Sequence, residues 1–173
     1  MQQDVRIAVA GDADSVAALA AATFPLACPA DMVEADIQAY IDGNLTAAHF
    51  AEHIASPDAD VLIHGDFDGY VLMFYGDDAT ADPSFNVTIE GPAFLSKCYV
   101  RPESHGSGIA KVLLEAAMER ARGRGCPGMW LNVNYENYRA QRFYDKHGWQ
   151  QVGYVDFKVG ERVHRDPVYE LHF

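Results

Sequence analysis

Apolar residues change their spacing repeatedly along this chain, and each change marks an element. Val5, Ile7 and Val9 alternate with polar or small residues, the period of a strand. Gly11-Asp12 ends that run, and Asp12 stands where a helix N-cap belongs, ahead of Val16, Leu19, Ala20 and Thr23 at helical spacing up to Phe24-Pro25. Past a break bracketed by Pro25 and Pro29, a second helix starts at Asp31, carries Val33, Ile37, Tyr40 and Ile41, and stops at Gly43-Asn44. Thr46 caps a third, with Phe50 and Ile54 inside and Pro57 beyond its end.

Val61–His64 and Tyr70–Phe74 read as strands joined by the turn Asp66-Phe67-Asp68-Gly69. Residues 77–91 are acidic, Pro-containing and weakly periodic, a loop expected to be mobile. Ala93–Val100 is the fourth strand. A long helix follows, with Ile109, Val112, Leu113, Ala116 and Ala117 on one face and a glycine cap in Arg122-Gly123-Arg124-Gly125. Met129–Val133 is almost continuously apolar, as an interior strand must be. Asn137 caps the last helix, whose face holds Ala140, Phe143, Tyr144 and His147 before Gly148 stops it. Val152–Phe157 and Val168–Phe173 form a closing antiparallel pair. With no repeat, linker or low-complexity segment, the pattern predicts one α/β (α+β) domain over residues 1–173.

The stretch from Lys97 to Leu114 changes from strand to glycine-rich turn to helix within 18 residues. The first N–H groups of a helix lack intrahelical partners and sit at the positive end of its dipole, and Gly106 and Gly108 let an anion approach the backbone. Either a phosphate cradle or an ordinary glycine turn satisfies this pattern. It is not a Walker loop, because Gly108-Ile109-Ala110-Lys111 lacks Gly-Lys-Ser/Thr. Nor is it a dinucleotide fingerprint: Lys111 stands where a third small residue belongs, and Met129-Trp130-Leu131 stands about 20 residues on, where an acid belongs.

The 173 residues, 49% of them hydrophobic, suffice for a core without metal or disulfide support. Cys28, Cys98 and Cys126 are odd in number and form no CxxC pair, which reads as reduced thiols in a cytoplasmic protein. No apolar run reaches the roughly 20 residues of a bilayer span, and no basic segment leads into a hydrophobic one at the N-terminus, so a soluble, unexported chain is expected. A formal charge of −12 opposes binding to nucleic acid or an anionic membrane and favours a cationic substrate. His49 and His53 share a helix face, but no third ligand completes a metal site; they are read as packing or solvated residues.

His105-Gly106-Ser107-Gly108-Ile109-Ala110 resembles the acetyl-CoA loop of the GNAT superfamily of N-acetyltransferases, Gln/Arg-x-x-Gly-x-Gly/Ala, at every position but the first. Trp130-Leu131-Asn132-Val133-Asn134 and the run Asn137–Trp149 are similar to that family's later strand and helix, with Asn-x-x-Ala-x-x-Phe-Tyr-x-x-x-Gly-Phe nearly complete. The resemblance implies a GNAT acyl-CoA N-acyltransferase fold, a mixed, mostly antiparallel seven-stranded sheet flanked by helices, with acetyl-CoA in a cleft between the fourth and fifth strands and no metal. It implies that amides of His105, Gly106, Ser107, Gly108, Ile109 and Ala110 hold the pyrophosphate. Backbone groups of Cys98, Tyr99 and Val100 would polarise the thioester carbonyl, and Asn132, Asn137 and Ala140 would contact the cofactor. Tyr144 would be the acid that protonates the departing thiolate, the alternative being a core tyrosine beside Phe143. The second and third helices would lie over the cleft and shape the acceptor site.

The strand glutamate of many relatives is missing, since Phe94 and Ser96 stand at the matching positions. Glu90, Tyr99 or an ordered water chain are the alternatives for the base, and Cys98 is read as structural because no histidine-activated dyad is visible. Thr23-Phe24-Pro25, the Trp130 to Asn137 block and Phe157-x-Val159-Gly160-Glu161-x-x-x-x-Asp166 resemble bacterial PaiA-type polyamine acetyltransferases. This implies a small amine, a polyamine first, as acceptor and a homodimer as the assembly. A noncatalytic acyl-CoA-binding sensor is the rival reading.

Overall fold

Strands with apolar residues on both faces need a cover on both faces, and this sheet has one. The computed structural model describes residues 4–173, apart from the side chains of Phe157 and Val159. Seven strands run β1 (Val5–Ile7), β2 (Ala59–His64), β3 (Gly69–Phe74), β4 (Ala93–Val100), β5 (Gly128–Asn132), β6 (Gln150–Val159) and β7 (Arg162–His172). Five helices are α1 (Ala13–Ala27), α2 (Glu34–Asn44), α3 (Ala47–Ala55), α4 (Ile109–Gly123) and α5 (Tyr138–Lys146). The order in the sheet is β1-β2-β3-β4-β5-β7-β6, with β4 and β5 parallel and every other pair antiparallel. Val61, Ile63, Tyr70 and Leu72 pack under α1 to α3 with Leu19, Phe24 and Phe50, while Leu62, Val71, Met73 and Met129 pack under α4 with Leu113 and Ala117. No helix among the described residues is long and apolar enough to cross a membrane.

Several boundaries depart from the sequence expectation, β7 by six residues at its start, and those of the first half of the chain do so for local reasons. β1 ends at Ile7, because the Val9 N–H turns to donate to Asp12 at 2.8 Å. Asp12 meanwhile holds Arg6 at 2.7 Å and makes no side-chain cap on α1. α1 runs through Pro25 to Ala27, since a proline in the last turn forfeits only one helical bond and Phe24 is anchored by stacking on Tyr40 at 4.3 Å. α2 starts at Glu34, after a turn in which the Met32 N–H donates to Pro29 O.

Residues 77–91 are tied down at several points. The Trp130 indole donates to Ala79 O at 2.7 Å, Asn86 reaches Val152 O, and the Thr88 N–H and hydroxyl both donate to Glu170, at 2.8 and 2.7 Å. As expected, Thr46 caps α3, accepting the His49 N–H while the His49 ring returns to Thr46. His53 packs edge-on to Phe50 and Phe74.

β4 carries the one irregularity that matters for the site. Leu72 pairs with Lys97 and Met73 with Leu95, so Ser96 is an extra residue in the strand. Such a bulge reverses the alternation of side chains. Ala93 and Leu95 face the α4 side, and beyond Ser96 it is Cys98 and Val100 that do so, leaving Tyr99 on the α1–α3 side.

Candidate active site

β4 and β5 pair only at Ala93↔Met129 and Phe94↔Trp130, then separate. From Leu95 onward the edge of β4 that faced β5 has no ladder partner, a costly arrangement unless something else occupies the gap. The gap opens into two cavities. One, of about 320 Å³, runs from β4 to the glycine loop and α5; the other, of about 340 Å³, lies between β4, β5 and β7. Both are lined by Ala27, Cys98, Tyr99, Asn137, Ala140 and Tyr144, which therefore mark their junction.

At the outer end of the first cavity, Gly106 and Gly108 have φ of +83° and +86°, the left-handed region that favours glycine. An added Cβ at either would meet nothing within 4 Å, so the dihedrals, not crowding by the chain, demand glycine here, and the space beside them is open. Val112 N–H to Gly108 O is the first bond of α4, which leaves the N–H groups of Ile109, Ala110 and Lys111 without helical partners. Two amides counted in the cradle from sequence are already engaged: His105 N–H donates to Pro102 O and Ser107 N–H to Ser104 O. The His105 ring has a bracing part, its Nε2–H donating to Val100 O at 2.9 Å and tying the loop to the end of β4.

Val100, His105, Gly106, Gly108, Ile109 and Ala110 all line the first cavity. Ser107 lines neither, its hydroxyl donating to Ser104 O, and Asn132 lines only the second. Asn137 caps α5, accepting the Ala140 N–H at 3.1 Å. Tyr144 is wedged against Trp149 and Tyr169, and burial, reinforced by Cys98 and Tyr99, raises its phenol well above the ordinary value, so it keeps its proton at neutral pH. Burial also pushes the Cys98 thiol up to about 12, which leaves no thiolate for nucleophilic chemistry.

A family model described as Acetyltransferase (GNAT) family matches residues 61–149. An uncharacterized N-acetyltransferase of Mycobacterium tuberculosis is 38% identical over 160 residues, covering 91% of this chain and 95% of its own. The chain belongs to the GNAT family of acetyltransferases. It is an acetyl-CoA-dependent N-acetyltransferase. Its fold is shared over 98% of both chains with the PaiA N-acetyltransferase of Thermoplasma acidophilum, solved in complex with coenzyme A, at TM-score 0.76 and 19% identity. Over 70% of this chain and 67% of the other, it is shared with an acetyltransferase from Bacillus anthracis, solved with acetyl coenzyme A, at TM-score 0.56 and 22% identity.

In this GNAT chain, the expected bases are poorly set. Glu90 is exposed and lines neither cavity; Tyr99 lines both, but burial raises its phenol far above neutrality. Asp166, which the sequence singled out only as the end of the PaiA-like block and gave no role, lines the second cavity and is only 3% exposed. It accepts the Tyr135 N–H at 3.1 Å, yet burial outweighs this bond and nearby His164 and pushes the carboxyl up to about 6. Its signal in the sequence was an acid leading into the apolar run Pro167-Val168-Tyr169. Lys111 and Arg139, also given no role, border the first cavity as cations. Tyr40 brings α2 to the second cavity, whereas no residue of α3 lines either one.

Proposed function

We propose that this enzyme transfers the acetyl group of acetyl-CoA directly to the primary amine of a small molecule. Acetyl-CoA occupies the first cavity and the amine enters from the second. The observation that carries this reading is the junction, where Cys98, Tyr99 and Tyr144 line both cavities. The free N–H groups of Ile109, Ala110 and Lys111 receive pyrophosphate, with the Lys111 and Arg139 side chains adding charge. The pantetheine arm fills the gap beside β4, where backbone N–H groups stabilise the oxyanion as the amine nitrogen attacks the thioester carbonyl. Asp166 accepts the proton the amine loses. As the tetrahedral intermediate collapses, the C–S bond breaks and Tyr144 donates its proton to the sulfur, to be reprotonated from solvent.

The resemblance to PaiA-type enzymes and the charge of −12 support a polyamine as the first candidate for that amine, while Lys97 in the lining of the second cavity bears against it. The three free thiols support a cytoplasmic location, and the family resemblance supports a homodimer. Thiol release from acetyl-CoA, measured against spermidine, spermine, diamines, aminoglycosides, amino acids and short peptides, tests the transfer. Amine-dependent release upholds it. Tight acetyl-CoA binding with no release by any amine, and no change on Tyr144→Phe, would instead favour the noncatalytic sensor.

A further inference from the structure

The second cavity has a charge pattern that a polyamine does not match. Among its described lining residues, Lys97 is the one cation and Asp166 the one carboxylate. They stand on different strands, Lys97 on β4 just past the Ser96 bulge and Asp166 on β7 opposite Val155. Lys97 takes part in no ion pair among the described residues. Its Nζ lies 3.5 Å from the Ser96 carbonyl, 3.4 Å from the Ser96 hydroxyl and 5.8 Å from the centroid of the Tyr40 ring, and its charge also reaches the His53 imidazole. An ammonium so placed has no carboxylate partner at the wall of this cavity.

We propose that the acceptor is an amine that also carries an anionic group, with its ammonium received at Asp166 and its anion at Lys97. This rests on the reading of the second cavity as the acceptor site. A second ammonium, as in a diamine or spermidine, meets repulsion from Lys97, while a carboxylate or phosphate there completes the pair. Phe94, Leu131 and Val155 line the same cavity and offer an apolar wall for the body of the molecule, and about 340 Å³ suits a small metabolite.

The test uses matched amines in the thiol-release assay: γ-aminobutyrate against butylamine and putrescine, L-phenylalanine against phenethylamine, and 2-aminoethyl phosphate against ethanolamine. The expected result is that an anion-bearing member exceeds its monocationic and dicationic partners by about tenfold or more in kcat/KM. The amino acid pairs and the phosphate pair tell which anion is used. Lys97→Met should erase the preference and Lys97→Arg should keep it, which separates charge from folding. Equal or better rates with butylamine or putrescine, or a preference unchanged in Lys97→Met, would overturn the proposal. Calorimetric titration of the same compounds into the CoA-loaded protein reads the preference without turnover. Tighter binding of the anionic amines, lost in Lys97→Met, upholds the proposal even if no acetyl group moves; equal binding, or none, overturns it.

Discussion

The carboxylate of Asp166 accepts the backbone N–H of Tyr135 at 3.1 Å while lining the same cavity as Lys97. One hydrogen bond does not repay the burial of a charge, which is why this carboxyl is pushed up to about 6 from 3.8. The folded chain therefore holds the Asp166 proton more tightly than the unfolded chain. Stability from this group is fully present below pH 3.8, declines as pH rises toward 6, and above that the ionised form costs about 2–3 kcal/mol.

Asp166→Asn keeps an acceptor for the Tyr135 N–H and removes the charge. At pH 7.5 the variant should unfold about 5 °C higher than the parent, with the gain vanishing near pH 4. Its kcat should fall about 100-fold, and the rise of kcat/KM through pH 6 should disappear. Thermal unfolding at the two pH values and a pH–rate profile check both halves. Lower stability at pH 7.5 would show that the carboxylate is structural.

Tyr144 is held by Trp149 and Tyr169, and none of its three ring neighbours needs its hydroxyl. Tyr144→Phe should therefore fold normally and bind acetyl-CoA about as tightly as the parent, while kcat drops about 100-fold. Calorimetric titration of acetyl-CoA alongside thiol release gives both numbers. An unchanged kcat would remove Tyr144 from the chemistry.

What was legible in the sequence was local. The passage from Lys97 to Leu114 announces strand, turn and helix by its own changes of period, and Asn137 and Thr46 announce their helices by cap position; the structure has all of these. What was not legible depends on partners far along the chain. Residues 77–91 look unanchored until Glu170, 82 residues from Thr88, is brought beside them. Asp166 lies before the expected last strand, yet β7 begins at Arg162, and its partner Tyr135 is 31 residues away. The Ser96 bulge leaves no periodic trace, because Lys97, Cys98 and Tyr99 are all half-buried at the cleft.

Gly108 is both the N-cap of α4 and a left-handed residue beside open space. Gly108→Ala should cost about 1–2 kcal/mol from the dihedral alone. The methyl group would also enter the open space beside the first-turn N–H groups, where the proposed function places a phosphate. On the proposed reading, in which the loop holds the cofactor away from the reacting carbonyl, KM for acetyl-CoA should rise about tenfold with kcat changed far less. Steady-state kinetics with acetyl-CoA as the varied substrate separates the two, and a loss confined to kcat would contradict the cradle.

Glu170 is only 3% exposed and anchors the acidic segment. Burial works against its charge, but the Thr88 hydroxyl and N–H, with His172 at 3.2 Å, overcome it and hold the carboxyl below the ordinary value of 4.5. Because the folded state favours the ionised form, this stabilisation is present above pH 4.5 and is lost as pH falls below it. Thr88→Val removes the hydroxyl donor and leaves the N–H bond in place, at a cost of about 1–2 kcal/mol at neutral pH. The difference between parent and variant should shrink as pH drops below the carboxylate range, because a protonated Glu170 has less use for the donor. Urea midpoints at pH 7 and pH 3.5 measure it. A gap of equal size at both would mean that Thr88 acts through packing and not through the charge it serves.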